Sequence, residues 1–104
     1  MVTKSVSLSN SIYEILQQTA GDSDINDALS KILKDFFQLK IQVLQEKILI
    51  YEKKYSMSFA EFEEACKNGK IENPYSYEIE KDNWDWEASI TEMEDLMEYE
   101  QWLS

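Results

Sequence analysis

Hydrophobic positions between Ile25 and Tyr55 recur in steps of three and four with no Gly or Pro among them, which predicts one helix over the whole span. They fall on two stripes. Leu29, Leu33, Phe37, Ile41, Leu44, Ile48, Tyr51 and Tyr55 make the first, and Ile32, Phe36, Leu39, Val43 and Ile50 the second. A helix lying on a small core needs a single stripe, so two imply burial on two sides. One side is expected to face a second copy of the chain and the other this chain's own flanking segments. The alternative is a two-sided helix inside a monomeric bundle.

Before this helix the period changes from helical to two. Thr3, Ser5 and Ser7 alternate with Lys4, Val6 and Leu8, a pattern that predicts a short strand with one hydroxyl face and one mainly apolar face. So short a strand needs a partner, and the chain holds no second candidate of similar quality. Its expected partner is the same strand of a second subunit, antiparallel across a twofold axis. Ser9 reads as the N-cap of a first helix, with Ile12, Leu16 and Ala20 along one face and Gly21 at its end. Ser23 or Asp24 then caps the long helix.

After Tyr55, Ser58 and Glu61 have capping-box spacing and open a short helix whose Phe59, Phe62 and Cys66 can fold back on the long one. Residues Asn73 to Tyr77, around Pro74, make the clear break in the chain. A last helix follows from Glu78 to Leu103. It carries Trp84, Trp86, Ile90, Met93, Leu96, Met97, Tyr99 and Trp102 among ten acids and one lysine.

Charge divides the chain in two. Residues 1–54 balance seven lysines against seven acids, while residues 55–104 set three lysines against fourteen, so the net charge of −11 lies in the second half. Such asymmetry points to two roles on one chain, or to a solvated acidic face that keeps the protein dissolved. Trp and Met anchor protein interfaces, and acids around them suit a partner with a basic surface. Trp84, Trp86, Ile90, Met93, Met97 and Trp102 are therefore the candidate partner-binding residues. The competing reading packs Trp86, Ile90, Met93 and Met97 on the second stripe of the long helix.

Chemistry is poorly provided for. The chain has no histidine, two glycines and a single cysteine, Cys66, which removes the commonest general base and metal ligand, phosphate-cradling loops and any intrachain disulfide. Asp82 with Asp85, and Glu94 with Glu98, sit at helical spacing, but pairs like these arise by chance in so acidic a segment. No enzyme, cofactor, metal or small-molecule substrate is expected. No apolar run approaches ~18 residues and the N-terminus lacks a leader's layout, so a cytoplasmic protein without a membrane partner is expected.

The run KSVSLSNSIYEILQQTAGDSDINDALSKILKDFF resembles a ribbon-helix-helix domain, the fold of small dimeric repressors and of many prokaryotic antitoxins. The resemblance implies a mainly α homodimer whose N-terminal strands form a ribbon in the DNA major groove, followed by a long helix and two further helices. It implies operator contacts from Thr3, Lys4, Ser5 and Ser7, with a phosphate held near Ser23. It implies a dimer core of Val6, Leu8, Ile12, Leu16, Ile25, Leu29, Ile32 and Leu33. Hydroxyls discriminate bases poorly and Asp22, Asp24 and Asp27 crowd the phosphate site, so operator binding should be weak and cooperative. The run YEKKYSMSFAEFEEACKNGKIENPYSYEIEKDNWDWEASI resembles the C-terminal part of a group of antitoxin-like proteins, where this part blocks a toxin. Three segments follow: 1–40 for dimerisation and DNA, 41–72 for the helical extension and short helix, and 73–104 for the acidic partner-binding helix. The implied function is an antitoxin that neutralises a basic protein toxin and represses its own operon. A helical adaptor that never touches DNA and a plain repressor without a toxin are the competing readings.

Overall fold

A computed structural model describes residues 3–21 and 24–103. They form four helices, α1 (Asn10–Ala20), α2 (Ile25–Tyr55), α3 (Phe59–Lys67) and α4 (Tyr77–Trp102), in two compact units that divide at Phe36 and Phe37. The described residues contain no strand. Thr3 to Ser7 are exposed and carry no regular structure, which overturns the expected ribbon and with it the ribbon-helix-helix fold. The alternating pattern was real, but alternation makes a strand only where a neighbouring backbone supplies ladder hydrogen bonds.

In the first unit, local signals fix the helix ends. The Ser9 side chain accepts from the Ile12 backbone N–H at 3.2 Å, and Gly21 ends α1 with φ of +71°, a conformation costly for any side chain with a Cβ. Lys31 Nζ donates to the Ala20 carbonyl at 3.3 Å and so satisfies an acceptor that the helix end leaves open. Leu16, Ala20 and Ala28 are buried here. The expected dimer-core residues divide: Leu16 is buried, Leu8, Ile25, Leu29 and Ile32 are half-buried, and Val6, Ile12 and Leu33 are exposed.

The second unit is built on α2 from Phe37 onward. As residue numbers rise along α2, the α4 residues they meet fall: Phe37 meets Tyr99, Lys40 meets Glu92, Lys47 meets Asp85, and Lys54 meets Asp82 and Glu78. The two helices are therefore antiparallel neighbours. The Ile41–Leu44 part of the first stripe forms a core with Leu96, against which Phe37 and Met93 pack. Further along, Tyr51 and Tyr55 of the same stripe pack on Trp86.

The short helix α3 closes this unit. Ser58 Oγ accepts from the Glu61 N–H at 3.2 Å while Glu61 accepts from the Ser58 N–H at 3.0 Å, the reciprocal pair that the spacing predicted. Those bonds hold the Glu61 carboxyl below its usual range. Ser58→Ala should cost about 1 kcal/mol; a urea midpoint unchanged from wild type would show that the cap contributes nothing. Phe62, delivered by α3, is fully buried.

Candidate partner-binding surface

The two sides of α4 do different things. Residues two apart on a helix lie about 200° apart, so Trp84 and Trp86 cannot share a face. Trp86 is fully buried, whereas Trp84 is 66% exposed. Around Trp86 the rings of Tyr51 and Tyr55 stack at 5.6 and 5.9 Å, and those of Phe59 and Phe62 meet it edge-on at 5.2 and 5.3 Å. Trp86 is thus a core residue, and its own chain withholds it from any partner. Its indole N–H finds no hydrogen-bond acceptor among these rings.

Two aspartates flank this aromatic cluster and tie α4 to α2. Asp82 accepts from Lys54 Nζ and the Tyr55 hydroxyl, both at 2.5 Å; Asp85 accepts from Lys47 Nζ at 2.6 Å and from the Tyr51 hydroxyl. Burial alone would push both carboxyls up, but the lysine and tyrosine donors outweigh it and hold them below the usual carboxylate range. The same contacts act in reverse on the donors. Burial and the bond to Asp82 push Tyr55 up to about 12, burial and the bond to Asp85 raise Tyr51 further, and the bonds to Asp82 and Glu78 raise Lys54. The Asp82 and Asp85 pair is consequently a structural clasp. Sequence reasoning could weigh it only as acid–base or metal chemistry, because its tyrosine and lysine partners lie about thirty residues away.

The outward side of α4 is different. Trp84 stands between two open clefts. One, of about 260 Å³, is walled by Glu63 and Lys67 of α3, Pro74 and Tyr75 of the connection, and Glu80 and Trp84 of α4. The other, of about 420 Å³, runs from Trp84 past Glu87, Ala88 and Thr91 to Asp95. Tyr75 and Tyr77 are more than four-fifths exposed, and Trp102, with Tyr99 at 5.1 Å, is 71% exposed at the far end of the helix. Ile90 and Met93 are half-buried, and Met97 lies at the edge at 39% exposure. The six expected partner-binding residues therefore split, with Trp84, Trp102 and the edge of Met97 facing outward. Tyr75, in the break around Pro74, joins them, and an aromatic flanked by Pro and Ser in an acidic stretch is the signal that marks it.

Cys66 also lines the first cleft. Burial pushes its thiol up and the neighbouring Glu63 adds to that, so it stays protonated at neutral pH and is a poor nucleophile.

The expected DNA contacts are not assembled into a site. Thr3, Lys4, Ser5 and Ser7 lie on an exposed irregular segment, and Ser23 falls outside the described residues. At the start of α2, the Asp24 carboxylate accepts from the Asn26 N–H at 2.8 Å. The chain's own anion thereby takes a donor that a phosphate would need.

No helix among the described residues is long and apolar enough to cross a membrane. Comparison with family models, with curated proteins and with solved structures finds no match to this chain.

Proposed function

We propose that this chain is an inhibitor of antitoxin type that binds a basic protein partner through the outward side of α4 and the adjoining clefts. The observation that carries this reading is the Trp84 indole, exposed between two clefts on the most acidic part of a chain with net charge −11. An exposed Trp brings a large rigid contact area with little side-chain entropy to lose. The carboxylates around it draw and orient a cationic surface, and a lysine or arginine entering the first cleft would meet Glu63, Glu80, Tyr75 and Trp84, with Lys67 on the same wall. A toxin that acts on RNA needs a positive surface, and an acidic aromatic helix can occupy it in place of nucleic acid. Repression through a ribbon depended on the strand and forms no part of this proposal.

The test is rescue of growth. In cells arrested by a basic, RNA-cleaving toxin that co-purifies with this chain, wild-type chain should restore growth and Trp84→Ala should not. With both proteins purified, Trp84→Ala should weaken binding by about 2 kcal/mol, roughly thirtyfold, and added salt should weaken it further. Because Trp84 is exposed, the variant should keep its helicity. Wild-type affinity in Trp84→Ala would remove the reading.

A further inference from the structure

One face of α4 lies in the core and the opposite face in water. Asp82, Trp86, Ser89 and Leu96 are buried, and Met93 packs beside Leu96. At about 100° per residue, Trp84, Ala88, Thr91, Asp95, Glu98 and Trp102 fall within about 80° of one another on the far side, and all six are exposed. They follow one another in steps of four and three, the spacing of a coiled-coil seam. Trp84 and Trp102 stand ~27 Å apart at the two ends, 66% and 71% exposed. Between them the small side chains of Ala88 and Thr91 line the larger of the two clefts beside Trp84. Glu80, Glu87 and Glu94 recur every seven residues along one flank, where coiled-coil helices carry the charges that choose a partner. On the other flank Asp85 and Glu92 are taken by Lys47 and Lys40 of α2. Glu87, Glu94, Asp95 and Glu98 make no ion pair among the described residues, and beyond Lys81 the helix has no lysine or arginine of its own.

We propose that the partner docks on this strip as a single cationic helix, with lysines or arginines repeating every seven residues beside a seam of apolar and small side chains. The proposal rests on the partner-binding reading of the same side of α4 and gives that partner a shape. A helix with the same four-three spacing keeps a side chain against every turn of the strip along its whole length. Ala88 and Thr91 let its backbone come close, and the two Trp rings hold it near either end.

Charge selects the occupant. Asp95 and Glu98 lie inside the strip, so an uncharged helix would cover two carboxylates without compensation. A second copy of α4 would bring two more. A cationic helix answers both: its lysine or arginine stems lie along the Trp rings and its charged heads reach Asp95, Glu98 and the flanking Glu87 and Glu94.

Two synthetic three-heptad peptides of identical Lys, Leu and Ala content test it. In one the lysines flank a Leu and Ala seam; in the other they are spread evenly around the helix. Each is titrated into the full chain at low salt and followed by Trp fluorescence and circular dichroism. The patterned peptide should gain helicity on binding and bind about tenfold tighter than the scattered one. Glu87→Gln with Glu94→Gln should weaken it about tenfold, and Glu46→Gln with Glu72→Gln, an equal charge change off α4, should leave it within about twofold. All four glutamates are exposed, so both variants keep the fold. Equal affinity for the two peptides, lost in Trp84→Ala, overturns the helical partner and leaves the basic partner standing. Patterned binding indifferent to Trp84→Ala overturns both. Binding by neither peptide, or an equal loss in the two glutamine pairs, overturns the strip as the docking site.

Discussion

Trp86→Ala should strongly weaken the hold of α4 on α2. The ring it removes is fully buried and is touched by Tyr51, Tyr55, Phe59 and Phe62, which come from two other helices. Replacing a buried Trp by Ala costs about 3–5 kcal/mol, against about 5–15 kcal/mol for the whole stability of a typical domain. That is a large fraction of what holds α4 to α2. Trp86→Phe should cost far less, because it keeps most of the ring packing and discards an N–H that is buried without an acceptor. Urea unfolding followed by near-ultraviolet circular dichroism, in a Trp84→Phe, Trp102→Phe background, reports on this ring cluster. If Trp86→Ala and wild type unfold at the same urea concentration, the aromatic cluster is not what joins the helices.

Acid should loosen the same junction by a separate route. The folded chain holds Asp82 and Asp85 below the ordinary aspartate value of 3.8. Their contribution is therefore complete above that value and is lost as pH falls through the lower folded values. The donors act at the opposite limit. Tyr55 moves from 10.0 to about 12, so its contribution persists below pH 10 and is lost as pH rises toward 12; Tyr51 and Lys54 are raised and act in the same sense. Stability should form a plateau between about pH 4 and pH 10, with loss on both sides. Asp82→Asn keeps the shape and removes the charge, and should cost about 2 kcal/mol at neutral pH. Breaking a fully buried ion pair costs more, but Lys54 is 40% exposed and can return to water. The Asp82→Asn, Asp85→Asn double variant should also show a flatter acid limb in urea unfolding measured from pH 2 to 7. An acid limb as steep as that of wild type would place the titrating groups elsewhere.

Short-range features are legible in the sequence. The limits of α2 follow from an uninterrupted helical period, the start of α3 from Ser58 and Glu61, and the end of α1 from Gly21. Each is set by backbone torsion or by a hydrogen bond reaching three residues or fewer, so the neighbouring letters suffice. The strand at Thr3–Leu8 failed on the same logic, since a ladder partner is not a local property and alternation alone does not supply one. The candidate site was legible in kind. Acid and Trp marked α4 as the surface of interest, and the two-residue separation of Trp84 and Trp86 already required that they face opposite ways.

Taken by itself, the sequence determined the helices, their caps, the concentration of charge in the second half and the presence of two apolar stripes on α2. Tertiary structure alone decided that α4 covers the stripe of Ile41, Leu44, Tyr51 and Tyr55 and leaves Leu39, Val43 and Ile50 bare. Both stripes were apolar enough to be covered. The first is the one whose neighbours, Lys40, Lys47 and Lys54, find Glu92, Asp85, Asp82 and Glu78 along an antiparallel α4 while Trp86 enters between its tyrosines. That choice sums contacts between residues 24 to 55 positions apart, beyond the reach of any local pattern.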